Sequence, residues 1–332
     1  MLLSNFWAGL VALMLMLYVI LDGFDLGIGI LSLFTPAEKG RAVMMKSISA
    51  VWDANETWLV LAGGTLFGAF PLVYSIVLNA LYIPIMLMLF GFIFRAISFE
   101  FRGQSLRKRF WEFCFGLGSL IAAIGQGFVV GALMTGIKTG PSGFEGGHWD
   151  WFDFISVLVT IAVVFGYVMI GASYLVTKTQ GDIRNFIQKR MTVSAILMFA
   201  IITLITISMP LLFEQFARKW IARNTSFAML ALALGAVFAF IMLLVSTIFK
   251  KYRWLPFIMS LIIFATAFGG LGLGLYPCLV PPSITIEMAA SSSVTLIFMI
   301  FGIGLLVPVM LLYNFYLYRV FHGVTEETQE EY

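Results

Sequence analysis

Charge is scarce in this chain: 11% of its 332 residues are Asp, Glu, Lys or Arg, and 61% are hydrophobic. Soluble domains carry roughly 25% charged residues, so a water-soluble fold is excluded. Histidine is scarcer still, with only His148 and His322, and there are two cysteines, Cys114 and Cys278. Neither pair has metal-ligand spacing, and both cysteines, in or beside apolar runs, read as packing. The formal net charge of +3 is small and spread over short loops, which excludes a nucleic-acid-binding surface.

What is abundant is continuous apolar sequence. Bilayer hydrocarbon cannot hydrogen-bond a backbone, so a span must be a helix or part of a closed barrel, and barrel strands alternate polar and apolar residues. The runs here are unbroken and reach the roughly 20 residues that a helical span needs. They predict an all-α integral membrane protein with about nine transmembrane helices, near 6–34, 54–73, 75–98, 113–136, 154–176, 190–212, 226–249, 255–276 and 291–318. The first run is too long for a signal peptide, carries acids near its end and lacks a small-residue cleavage pattern. The second and third are parted only by Pro71 and its neighbours, a tight hairpin. Nine spans fit two four-helix bundles plus one peripheral helix. Residues 1–322 read as a single polytopic membrane domain and 323–332 as an acidic cytoplasmic tail.

Short loops rich in Lys and Arg stay on the cytoplasmic side. The loop after the third span, with Arg95, Arg102, Arg107, Lys108 and Arg109 in it or at its edge, is therefore expected inside. Alternation then puts the loops at 39–46, 178–190 and 250–253 inside as well, with the N-terminus outside and the C-terminus cytoplasmic. One loop disagrees: Arg218, Lys219 and Arg223 fall on the outer side, outweighed by the rest. The aromatic residues of 313–318, like Trp149, Trp151, Trp220 and Trp254, sit where an interfacial aromatic belt is expected.

A charge inside a span costs at least about 2.5–3.5 kcal/mol, so those retained are candidates for function. The first span ends in Asp22-Gly23-Phe24-Asp25-Leu26-Gly27, with two acids on one helix face and two glycines, four apart, that allow a neighbouring helix to approach. The second begins with Trp52-Asp53-Ala54-Asn55-Glu56-Thr57-Trp58, again with acids three apart. The third ends at Phe94-Arg95. Asp22, Asp25, Asp53, Glu56 and Arg95 are thus expected to converge in one leaflet. Their functional reading is a proton path open to the cytoplasm, through carboxylates whose proton affinity burial raises and Arg95 opposes. The plainer reading makes Asp53 a helix N-cap and pairs Arg95 with Asp25 to lock helices together.

Haem held in a bilayer takes an axial His, Cys, Met or Tyr from a span. No expected span carries a histidine, and the 18 methionines at helical spacing read as packing. A proton- or ion-coupled secondary transporter is the alternative from another class; against it, the acids lie near the cytoplasmic edge and no matched pair of broken helices is evident.

These motifs, together with Phe99 to Arg102, Gly171-Ala172-Ser173-Tyr174-Leu175 and Tyr276-Pro277 to Ser283, resemble those of cytochrome bd-type quinol oxidase subunit II, a family that includes the cyanide-insensitive oxidase subunits. They are spread over most of the chain. The resemblance implies a subunit of a respiratory complex in the bacterial cytoplasmic membrane that oxidises quinol and reduces dioxygen to water. It further implies that the b- and d-type haems reside in the partner, haem-bearing subunit I, with small accessory subunits in some members. A structural quinone, associated with the second subunit in some members, is a candidate ligand. On this resemblance Asp53 belongs to a proton channel toward the haem site, with Asp25 and Arg95 shaping its entrance, Glu56 and Asp22 alongside, and Trp52, Asn55, Trp58, Gly23 and Gly27 supporting the motif. The chain is short between its sixth and seventh spans, so contacts that relatives make there do not carry over, and the proton path is untouched.

Overall fold

The computed structural model describes residues 1–141, 143–249 and 252–325. The acidic tail expected over 323–332 lies outside the described residues from Glu326 onward, as do Lys250 and Lys251 of one basic loop.

Thirteen helices are described: α1 (Leu2–Leu33), α2 (Glu38–Ile48), α3 (Trp52–Ala69), α4 (Pro71–Ala80), α5 (Tyr82–Gln104), α6 (Lys108–Thr135), α7 (Phe154–Lys178), α8 (Gly181–Leu212), α9 (Glu214–Ile221), α10 (Arg223–Ile248), α11 (Leu255–Leu275), α12 (Ile286–Ala289) and α13 (Ser293–Val320). Two small antiparallel hairpins, β1 (Thr139–Gly140) with β2 (Gly143–Phe144) and β3 (Cys278–Val280) with β4 (Ile284–Thr285), cover one end of the bundle. Between α6 and α7, Lys138 reaches Asp150 at 3.0 Å, and this hydrogen-bonded cation holds the exposed carboxyl below its usual range.

Eight of the described helices are long and apolar enough to cross a membrane: α1, α5, α6, α7, α8, α10, α11 and α13. The ninth expected span is α3, a helix of 18 residues whose first turns carry Asp53, Asn55 and Glu56. The expected third span, 75–98, is divided at Leu81 into α4 and α5. Pro84 explains the break, since inside a continuous helix its ring would collide with the Ala80 carbonyl; in the first turn of α5 its missing N–H has no cost.

Nine of the thirteen helices divide as four, four and one. α1, α3, α5 and α6 pack together around the acidic motifs; α7, α8, α10 and α11 form a second group; α13 leans on α3. α1 and α7 join the two groups. Every residue from Asp22 to Ser32 in α1 and from Gly166 to Lys178 in α7 is buried. Such close contact requires small residues at the crossing. Gly27 lies against the Tyr167 carbonyl, and Gly171 faces the backbone of Phe24 and Ile28, so a side chain on either glycine would overlap main chain.

The basic cluster that disagreed with the expected orientation lies largely on α9, a short helix between α8 and α10. Arg218 pairs with Glu214 at 2.7 Å and Lys219 donates to the Tyr276 carbonyl at 2.5 Å. Both cations are thus engaged within the chain, which weakens their weight as a topological signal.

Candidate functional site

The site is assembled where the second half of α1 meets the start of α3 and the end of α5. α1 contributes Asp22 and Asp25, α3 contributes Asn55 and Glu56, and α5 contributes Arg95. Arg95 is aimed inward because α5 lies tightly on α6: Gly91 and Gly118 face each other across that contact with no room for a side chain on either.

Arg95 is fully buried and bridges two carboxylates. Its Nη1 donates to Asp22 Oδ1 at 2.6 Å and its Nη2 to Glu56 Oε2 at 2.6 Å. The rings of Trp52 and Phe92 lie 5.8 and 5.3 Å from the guanidinium carbon, within cation–π range. Trp52 is held by stacking on Phe99 at 5.0 Å. The expected pairing of Arg95 with Asp25 is therefore corrected. Asp22, three positions earlier in α1, takes the guanidinium, and Glu56 supplies the second carboxylate.

Asp25 has a different environment. It is as buried as Asp22, but its one described donor is neutral: Asn55 Nδ2 donates to Oδ2 at 2.8 Å, and Oδ1 has no hydrogen-bond partner. The Asn55 amide is fixed on its other side, where its Oδ1 accepts from the Tyr318 hydroxyl at 2.9 Å. Tyr318 belongs to the 313–318 stretch expected in an aromatic belt. It is half-buried instead, and α13 carries it to the site.

Asp53 lies apart from this cluster. Val51, not Asp53, occupies the N-cap of α3, so the capping alternative is corrected; Asp53 is the second helical residue and its side chain is exposed. Glu56 lies three positions further on, yet Glu56 turns inward to Arg95 while Asp53 faces out. Trp58 is buried and packs the interior, and Gly23 gives its space to the Tyr167 ring.

A polar chain missed in the sequence continues from Asp22 into the apolar interior. Tyr18 precedes Asp22 by one helical turn; its hydroxyl accepts from Gln126 Nε2 at 2.6 Å, and Gln126 Oε1 accepts from the Tyr167 hydroxyl at 2.5 Å. All three side chains are buried. Gln126, a polar residue in mid-span, was the available signal, because an amide in hydrocarbon needs partners as a charge does.

Glu112, at the start of α6, was also missed. It is 2% exposed and accepts from Arg41 at 2.6 Å and from Arg102 at 3.0 Å. Arg102 therefore serves this second cluster. His148 and His322 are both exposed and lie outside the spans. Among the described residues no three His, Cys, Asp or Glu side chains are placed to hold a metal ion.

The sequence was compared with known proteins. It is 27% identical to cytochrome bd-I ubiquinol oxidase subunit 2 of Escherichia coli K12 over 364 residues, covering 98% of this chain and 96% of the relative. It is 31% identical to cytochrome bd ubiquinol oxidase subunit 2 of Bacillus subtilis over 196 residues, covering 56% and 57% of the two chains. The fold is that of a chain in the bd oxidase structure from Geobacillus thermodenitrificans, with a TM-score of 0.82, 17% identity, and coverage of 97% of this chain and 99% of that one. The sequence profile of the family described as cytochrome bd terminal oxidase subunit II matches residues 3–321, which leaves the transporter alternative without support, and the chain belongs to that family.

Proposed function

We propose that this subunit delivers protons to the oxygen-reducing centre of its complex, with Asp53 at the mouth of the route and Asp25 as the buried carboxylate that carries a proton inward. The chain is a multi-pass subunit of a bacterial inner-membrane oxidoreductase, the cytochrome bd-type terminal oxidase. The observation that carries the reading is the difference between its two buried aspartates. Each has one oxygen without a partner, but the donor to Asp22 is the Arg95 guanidinium, whereas the one described donor to Asp25 is the neutral Asn55 amide.

Three carboxylates face one guanidinium here. With all of them ionised, two negative charges would be uncompensated in a low-dielectric interior, where charges strongly repel. A mobile proton is the neutralising species such a site accepts. Asn55 holds Asp25 in place, and Arg95 keeps Asp22 and Glu56 occupied, so that the acid left to exchange protons is Asp25. Exposed Asp53 begins the same helix that carries Asn55 and Glu56, which makes it a natural first acceptor from water. The basic loops at this end of the bundle support its assignment to the cytoplasmic side, with the N-terminus outside.

The haems, quinol oxidation and dioxygen reduction are assigned to the partner subunit I. What supports this is the placement of the histidines: both are exposed and lie outside the spans, so neither fits haem ligation within the bilayer. No step is therefore routed through a haem on this chain. A structural quinone and small accessory subunits are part of the same reading and rest on the family alone.

The test is Asp25→Asn and Asp53→Asn, each in the assembled complex. Haem absorption should stay at the wild-type level per complex, while quinol-driven oxygen uptake drops about tenfold, equivalent to roughly 1.4 kcal/mol on the barrier. Wild-type turnover in both variants would reject the route.

A further inference from the structure

A cavity of about 560 Å³ opens between the α1–α2 turn and the α5–α6 turn, lined by Pro36, Glu38, Arg41 and residues 105–109. Its charged residues are Arg41, Arg107, Lys108 and Arg109 against Glu38. That is a surplus of three positive charges in one hollow, as large as the formal net charge of the whole chain. We infer that this cavity binds the phosphodiester headgroup of an anionic glycerophospholipid.

Three observations favour such an occupant. The cavity lies where two membrane-crossing helices reach the surface, α5 ending at Gln104 and α6 beginning at Lys108. Basic pockets between spans at that depth hold anionic headgroups. Next, its wall is rigid. Arg41 donates to the Thr35 and Pro36 carbonyls at 2.8 Å each and to buried Glu112, which also holds Arg102, so the α1–α2 turn is tied to α6. Lastly, Leu106 gives the lining an apolar side chain, and the rim continues in sequence into exposed aromatic residues of α5 and α6. Leu106 is fully exposed, and exposed Phe101 and Phe110 flank Trp111, Phe101 stacked on it at 5.2 Å and Phe110 edge-on at 5.2 Å. A free inorganic anion has no use for that rim, whereas acyl chains do. The positive end of the α6 dipole, with no side-chain cap at Arg107, adds to the attraction. Arginine forks match phosphate oxygens in geometry.

The experiment compares the assembled complex, wild type and Arg107→Gln/Arg109→Gln, in nanodiscs of equal phosphatidylglycerol and phosphatidylcholine. Lipids retained after release are counted by native mass spectrometry, and hydrogen exchange is followed over residues 104–110. The wild type should retain one more phosphatidylglycerol than the variant, with its exchange slowed in that segment, and dioctanoyl-phosphatidylglycerol should bind the variant at least tenfold more weakly. Phosphatidylcholine retention should be equal. The two substitutions are on the surface, so haem content and oxygen uptake serve as a check on folding. Equal phosphatidylglycerol retention by both proteins would overturn the proposal, as would a wild type that holds phosphatidylcholine equally well. Protection of the segment by millimolar inorganic phosphate alone would also overturn it, in favour of a soluble anion.

Discussion

Arg95 and Asp22, 73 residues apart in sequence, meet in a 2.6 Å ion pair in which neither side chain is exposed. Glu56 completes the bridge at the same distance from the other guanidinium nitrogen. Burying a charge with its partner is tolerable, but removing one partner leaves the other uncompensated, at a cost of about 3–5 kcal/mol. Arg95→Gln should therefore sharply reduce the yield of assembled complex and lower its thermal inactivation temperature in detergent. Arg95→Lys should recover part of the yield only, because an ammonium cannot offer the planar fork that reaches both carboxylates.

Tyr318→Phe removes one hydroxyl and leaves the ring. Asn55 Oδ1 then loses its donor, and the amide that faces Asp25 is free to turn. The stability change should be about 1 kcal/mol, the size of one hydrogen bond. Oxygen uptake should fall several-fold at unchanged haem content if Asn55 orientation governs Asp25; a wild-type rate would separate Tyr318 from the route.

Gly27→Val should prevent assembly, since its side chain would occupy the space of the Tyr167 main chain. Gly9, on the same helix, has open space around it. Gly9→Ala should leave yield and melting unchanged, which distinguishes helix crossing from a general intolerance of larger residues in α1.

Glu112→Gln leaves Arg41 and Arg102 facing one another without their shared acceptor charge. The complex should lose thermal stability by roughly 2–3 kcal/mol, as expected for charge-assisted hydrogen bonds broken in a buried setting. Adding Arg102→Met should restore part of the loss by relieving the repulsion, a coupling that a double-mutant cycle reads directly.

The membrane class, the helices and the gathering of Asp22, Asp25, Glu56 and Arg95 were legible in the sequence because each follows from local cost. An apolar run of span length has few other uses, and a charge within one demands a partner. Partner choice was not legible. Asp22 and Asp25 differ by under one helical turn, and only the depth of Arg95, set by Gly91 against Gly118, decides between them. Tyr318 was hidden for another reason. An aromatic residue near a span end is ordinarily an interfacial anchor, and nothing local marks the one that reaches 263 residues back to Asn55. The division of 75–98 was legible in principle, through Pro84, but the apolar run masked it.

α13 is mostly exposed, and it is the last of the described helices to leave the ribosome. Until its final turn is inserted, Asn55 has no hydroxyl to orient it, however well the earlier spans have packed. A nascent subunit halted anywhere before Tyr318 would thus lack the donor to Asn55 Oδ1. The Asp25–Asn55 contact, made by residues of α1 and α3, is thus completed only from α13.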